Sequence, residues 1–170
     1  MTVDAIFETV AEVGSEVQSI LGEQRSYEEG HNPSGDRQLT ADVYADNLLA
    51  ERLLALEGVG SYASEERESV EQSEGSTRRS EGGYHVSCDP LDGSSNLTSN
   101  NAMGAIVGVY DQPFPAPGEA LVAAGYVLYG PITTMVTARD GEVREYLIED
   151  GDRTVLDDDV TIPDDPPIYG

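Results

Sequence analysis

Lysine is missing from all 170 residues, and the nine arginines are set against thirty-three aspartates and glutamates. Without lysine, no Gly-Lys-Ser/Thr nucleotide loop can be built. The net charge of −24 and the sequence pI near 4.1 produce a field that repels polyanions. Nucleic acid and anionic membranes are therefore not expected as partners. Cysteine occurs once, at Cys88, so no internal disulfide can form. No apolar run approaches the roughly eighteen residues of a spanning helix, and the acidic N-terminus lacks the basic start and apolar core of a secretion signal. A soluble, cytoplasmic protein is the expectation. Such one-sided charge can signal disorder, but nine tyrosines and long periodic apolar segments argue for a fold. Arginine in place of lysine on an acidic surface is a halophile pattern, in which molar salt screens the self-repulsion.

The apolar residues that are present fall into recognisable periods. Val3, Ile6, Phe7, Val10, Val13, Val17, Ile20 and Leu21 recur at three and four, predicting a helix from Thr2 to Leu21 stopped by Gly22. Residues 23–36 read as a loop, with His31 lone on its surface. A second helix is expected over Leu39 to Leu56, capped by Thr40, with Val43, Asn47, Ala50 and Leu54 along one face and Gly58 at its end. Val59 to Ser64 alternates as a strand that delivers Glu65 and Glu66 at its break. Residues 68–83, with Arg78 and Arg79, read as a polar excursion. Tyr84, Val86 and Cys88 alternate toward Asp89, which makes Cys88 a packed thiol and His85, on the other face, a structural residue. Strands follow at 104–110, 121–129 and 133–138, and Asp140-Gly141 closes a hairpin with 143–148. After Glu149 the chain turns acidic and proline-rich. Two helices followed by a meander of strands predict an α+β protein with helices layered on a largely antiparallel sheet.

The chemistry concentrates in Asp89-Pro90-Leu91-Asp92-Gly93-Ser94-Ser95-Asn96. Mg²⁺ prefers oxygen ligands, commonly one or two carboxylates with water and substrate phosphate, and Asp89 with Asp92 could supply the protein share. Pro90 pushes Asp89 toward extended backbone, so Asp89 is expected to end a strand and Asp92 to sit in the loop beyond. Gly93 permits close backbone approach. A helix opening at Ser94 would present free N–H groups and two hydroxyls to an anion. The same residues are ordinary turn formers and can equally make a solvated loop. An EF-hand is poorly matched, because counting from Asp89 the sixth position is Ser94 rather than Gly and the twelfth is Asn100 rather than Glu.

This stretch resembles the signature of the class I fructose-1,6-bisphosphatases, within the metal-dependent, lithium-sensitive sugar and inositol phosphatases. Gly35-Asp36, Leu39 followed by Asp42, Ser64-Glu65-Glu66 and Leu121 to Gly130 occur in the order and approximate spacing of that family. The resemblance implies that residues 1–170 form the N-terminal domain of a Mg²⁺-dependent phosphomonoesterase converting fructose 1,6-bisphosphate to fructose 6-phosphate in gluconeogenesis. It implies two or three Mg²⁺ per site, with Mn²⁺ or Zn²⁺ as substitutes. Metal ligation falls to Glu65, Glu66, Asp89, Asp92 and the Leu91 carbonyl, with Asp36 nearby. Asp42 and Glu66 orient or deprotonate the attacking water, and Asp92, Gly93, Ser94 and Ser95 hold the phosphate. So many carboxylates repel one another and a sugar bisphosphate unless cations intervene. In the family a second αβ half supplies the sugar contacts and one further metal-binding glutamate. That half lies beyond Gly170, so this chain alone is expected to be incomplete, and the complete protein to be a homo-oligomer. AMP-inhibited members carry a basic residue before the tyrosine matching Tyr84 and after that matching Tyr110; here Gly83 and Asp111 stand there, and no AMP inhibition is expected. Alternatives are an inositol monophosphatase, which usually has Thr-Thr-Asn where Ser94-Ser95-Asn96 stands, a sedoheptulose bisphosphatase, or a non-catalytic fragment that binds cations or a partner.

Overall fold

The computed structural model describes residues 3–23, 27–31, 33, 37–73 and 83–162. The first helix, α1, spans Val3–Ile20 and buries Val3, Ile6, Phe7, Val10, Val13 and Val17 as its spacing predicts. Where a loop was expected, β1 (Tyr27–His31) pairs antiparallel with β2 (Arg37–Leu39). The second helix, α2, spans Thr40–Ala55. Its N-cap is Leu39 rather than Thr40, and Asp42 answers the orphan backbone there, accepting the Leu39 N–H at 2.7 Å.

The buried face of α2 also differs from the expectation. Ala41, Asp42, Ala45, Asp46, Leu49, Ala50 and Leu53 point inward, whereas Asn47 is exposed and Val43 and Leu54 are half-buried. Two aspartates one turn apart lie on the inner face, so a face chosen by hydrophobicity is rotated away from the true one.

Eight strands then form one sheet: β3 (Val59–Ser64), β4 (Glu71–Gln72), β5 (Tyr84–Asp92), β6 (Met103–Tyr110), β7 (Leu121–Tyr129), β8 (Thr133–Arg139), β9 (Glu142–Glu149) and β10 (Asp152–Asp157). Their order across the sheet is β10-β9-β8-β7-β6-β5-β3-β4, antiparallel throughout except for the parallel pair β3–β5. The short β4 lies in the stretch expected to be a polar excursion, and β10 lies where only an acidic, proline-rich stretch was expected. A second Asp-Gly explains β10: Asp150 (φ 53°) and Gly151 (φ 87°) repeat the left-handed pair Asp140 (φ 54°) and Gly141 (φ 83°), closing a second hairpin.

Both helices pack on one face, α1 across β7 to β10 and α2 across β3 and β5. Alternate residues therefore part cleanly: Met103, Ala105, Val107 and Val109 of β6 are buried beneath the helices, while Ile106 faces outward at 50% exposure. Tyr126 and Leu128 of β7 share that outer, apolar face. There too Ser61 Oγ lies 2.7 Å from Nδ1 of the buried His85, whose imidazole is held below its ordinary pKa by burial, in keeping with a structural role.

The docking of α1 depends on a missing side chain. A Cβ at Gly125 would sit 2.9 Å from Cε1 of Phe7 and 2.9 Å from the Val136 carbonyl oxygen, which as backbone cannot move aside. Gly125→Ala should lower the unfolding free energy by about 1–3 kcal/mol. Gly22→Ala, which meets nothing within 4 Å, should change the urea midpoint far less, and equal midpoints for the two variants would contradict this packing.

Candidate active site

Three segments reach one edge of the sheet for a topological reason. Because β3 and β5 run parallel, their carboxyl ends lie together; because α2 turns back into β3 through residues 56–58, its N-terminus lies at the same end. The edge therefore collects Asp42 from α2, Glu65 and Glu66 from the turn after β3, and Asp89 and Asp92 from the end of β5. Loops beyond the carboxyl ends of parallel strands are where ligands of open sheets bind.

The turn after β3 is tight. Arg67 N–H donates to the Ser64 carbonyl at 3.2 Å, so Glu65 and Glu66 occupy the two central positions of a β-turn. Glu65 N–H donates to the Cys88 carbonyl at 3.2 Å and Glu66 N–H to Ser64 Oγ at 3.1 Å, which ties the turn to β5 and to its own strand.

The strand β5 does not end at Asp89; it continues to Asp92. Asp89 opposes Ile106 and Asp92 opposes Gly104, so β5 carries one extra residue over this interval. Residues three apart on a regular strand face opposite sides, but a bulge shifts the alternation by one. Asp89 and Asp92 thereby face the same side. Pro90, which brings no N–H to the ladder, sits within this irregular stretch, and Leu91 N–H donates back to Asp89 Oδ1 at 3.2 Å.

Gly93 then turns the chain with φ 74°, a conformation that suits glycine. Ser94–Thr98 is a five-residue 3₁₀ turn rather than an α-helix, with Asn96 N–H donating to the Gly93 carbonyl at 2.8 Å. The turn itself gives the N–H groups of Ser94 and Ser95 no partner. Ser95 is exposed, while the Ser94 side chain hydrogen-bonds Asp42. An apolar hollow of about 490 Å³ on the outer face, lined by Ile106, Tyr126 and Leu128, opens beside Asp92, Gly93 and Asn96.

Crowding is legible in the acid strengths. Burial, then repulsion from Glu65, then a side-chain hydrogen bond with Glu65 push Asp89 up to about 7, partly opposed by the Leu91 N–H. Burial foremost, with repulsion from Glu66 and Glu65, pushes Asp42 up to about 6 against the Leu39 N–H and the Ser94 hydroxyl. Among the described residues, no three His, Cys, Asp or Glu side chains stand as a ready-made metal cage. Asp36 lies outside the described residues, as do Arg78 and Arg79. The donors at this edge are nonetheless all oxygens, the set suited to Mg²⁺ rather than to a thiolate-seeking metal. The Cys88 thiol is buried, and burial pushes its pKa up, as befits a packing residue.

Two residues at this edge carry no signal in the motifs: Asp46, one turn beyond Asp42, and Arg67, directly after Glu66. The i, i+4 spacing of two aspartates in a helix and the arginine after an acidic pair could have pointed to them.

Helices on one face of a mostly antiparallel sheet, with carboxylates gathered where its one parallel pair ends, define an α+β protein with the layered fold of the sugar phosphatases. The family model for the fructose-1,6-bisphosphatase N-terminal domain matches residues 6–154. A class 1 fructose-1,6-bisphosphatase of Natronomonas pharaonis is 60% identical over 170 residues, covering 99% of this chain and 58% of that protein. One from Halobacterium salinarum is 52% identical over 168 residues, covering 99% of this chain and 57% of its own length. The crystal structure of Leishmania major fructose-1,6-bisphosphatase in holo form superposes with a TM-score of 0.81 at 28% identity, over 94% of this chain and 54% of that one. The chain belongs to the fructose-1,6-bisphosphatase family and spans somewhat more than half the length of these relatives.

The acid strengths make a prediction with a definite sign. Asp89 is raised from 3.8 to about 7, so the stability its neutral form contributes is complete below pH 3.8 and is lost as pH rises through 7. In EDTA, Asp89→Asn should therefore have a higher urea midpoint than the parent at pH 8, the gap narrowing steadily toward pH 4. A gap that widens on acidification would reverse the assignment.

Proposed function

We propose that this chain is the metal- and phosphate-binding half of a Mg²⁺-dependent fructose-1,6-bisphosphatase. The observation that carries the reading is the convergence of Asp42, Glu65, Glu66, Asp89 and Asp92 beside the Gly93-Ser94-Ser95 turn. The 60% identity to a class 1 enzyme supports it. Glu65, Glu66, Asp89, Asp92 and the Leu91 carbonyl, with Asp36, would hold two or three ions, and the oxygen-only donor set fits them. Bound Mg²⁺ supplies Lewis acidity, lowering the pKa of water and neutralising charge on the leaving oxygen. Glu66 and Asp42 orient the attacking water and accept its proton; Asp42, with its raised pKa and its bond to Ser94, is suited to moving a proton near neutrality. The N–H groups of Ser94 and Ser95 and the Ser95 hydroxyl steady the phosphate, with Asp92 and Gly93 setting the turn. Salt-adapted, cytoplasmic operation in gluconeogenesis and assembly into a homo-oligomer with the sugar-binding half complete the proposal.

The test is phosphate release in molar KCl with Mg²⁺ from fructose 1,6-bisphosphate, sedoheptulose 1,7-bisphosphate and inositol 1-phosphate, comparing this chain with its full-length form. The full-length form should favour fructose 1,6-bisphosphate, EDTA should abolish turnover, and Glu66→Gln should lower kcat by about 10²–10⁴-fold. Absence of turnover in both forms, with Asp92→Asn indistinguishable from the parent in Mg²⁺ binding, would sink the reading.

Regulation gives a second expectation. With Gly83 and Asp111 in place of cations, millimolar AMP should leave full-length turnover unchanged, and micromolar inhibition would contradict this.

A further inference from the structure

The turn that carries Glu65 and Glu66 is closed by a residue whose side chain leaves the turn altogether. Arg67 reaches back to α2, where its Nε lies 2.6 Å from Asp46 Oδ2, an ion pair in which the N–H is not squarely aimed. Its Nη2 donates to Asn47 Oδ1 at 3.0 Å, and its Nη1 pairs with Glu71. Its guanidinium carbon lies 5.8 Å from the centre of the Tyr62 ring, and Tyr62 Oη donates to the other Asp46 oxygen, Oδ1, at 3.1 Å. Asp46 is 4% exposed and Tyr62 fully buried.

Asp46 lies one helical turn after Asp42 on the same inner face of α2. The two aspartates divide the work of that face: Asp42 meets Ser94 and the field of Glu65 and Glu66, while Asp46 grips the residue that ends the Glu65–Glu66 turn. A planar guanidinium that engages partners from three directions admits few placements of that turn against the helix. Only Ser64–Arg67 backbone geometry separates the grip from the carboxylates.

We propose that Arg67, anchored on Asp46, is a positioning residue that fixes the Glu65–Glu66 turn against α2 and so sets where the Glu65 and Glu66 carboxylates stand to receive Mg²⁺. This rests on the metal-binding reading above. Arg67 touches neither phosphate nor metal; it acts through the turn, as outer partners of metal ligands do elsewhere.

The experiment uses the full-length protein in molar KCl and two readouts, the Mg²⁺ concentration giving half the Mg²⁺-induced rise in Tm and that giving half-maximal phosphate release. Arg67→Gln alone would strand the buried Asp46 charge and risks misfolding, so the test pairs it with Asp46→Asn, removing both charges together. The double variant should need about tenfold more Mg²⁺ in both readouts. Arg67→Lys, which keeps the charge but loses the fork, should fall between it and the parent. A double variant less stable in EDTA yet with unchanged Mg²⁺ half-saturation would show a merely structural pair and overturn the proposal. If the parent itself shows no Mg²⁺-dependent rise in Tm, the metal-binding reading fails first and the positioning role with it.

Discussion

The parallel pairing of β3 with β5 is the constraint on which the site depends. Were the two strands antiparallel, the Glu65–Glu66 turn and Asp89 would lie at opposite ends of a six-residue strand, about 20 Å apart, and no side-chain adjustment would reunite them. Parallel strands cannot be joined by a tight hairpin; after the Glu65–Glu66 turn the chain first reverses into the short β4, which pairs antiparallel on the side of β3 away from β5. The bulge at Pro90–Leu91 is the second backbone decision. It brings Asp89 and Asp92 to one face, and the left-handed Gly93 then folds the Ser94-Ser95 backbone alongside them.

The cost of this arrangement is electrostatic. In a chain of net charge −24, an edge made of five carboxylates has no favourable background field. Two charges 4 Å apart repel by about 4 kcal/mol at the effective dielectric of a protein surface. Several features offset this in part: the amino end of α2 beneath Asp42, the Leu39 and Leu91 N–H groups, and the Ser94 hydroxyl. The remainder appears as the raised pKa values of Asp42 and Asp89. A cation bound at these oxygens would compete with protons for them, so its occupancy would depend on pH. Among the described residues, Arg52 pairs with Glu16, Arg139 with Asp4 and Asp140, Arg144 with Glu142, and Arg153 with Glu8.

What was legible in the sequence follows from which interactions are local. The α1 stripe, the alternation in β5 to β9, the Asp140-Gly141 turn and the acidic motif all express themselves within a few neighbouring residues. The α2 face did not, because its inward positions include Asp42 and Asp46, held there by a backbone donor and by Arg67 from a distant turn. The strand β10 was obscured by its acidic composition, although Asp150-Gly151 offered the same turn signal as Asp140-Gly141. Asp89 was placed at a strand end by the restraint of Pro90; a bulge let the strand run on to Asp92, since a ladder can omit one N–H where an extra residue is inserted. Similarly, Ser94 opens a five-residue 3₁₀ turn that ends at Thr98 and not an α-helix.

The polar seam between α2 and β3 shows why burying charge here is more than a packing accident. Replacing a buried ion pair by apolar side chains of similar volume is often neutral or even stabilising, so Asp46 and Arg67 are not explained by stability alone. An apolar contact tolerates sliding by an ångström with little change in energy. A guanidinium held at once by Asp46, Asn47 and Glu71, with Tyr62 occupying the second Asp46 oxygen, loses several directed contacts for the same displacement. Octahedral coordination at about 2.0–2.1 Å penalises a ligand misplaced by far less than an ångström. A turn that presents Glu65 and Glu66 beside Asp42 is held in register best by a directional link to the helix, and on this chain that link lies one turn along from Asp42 and one residue along from Glu66.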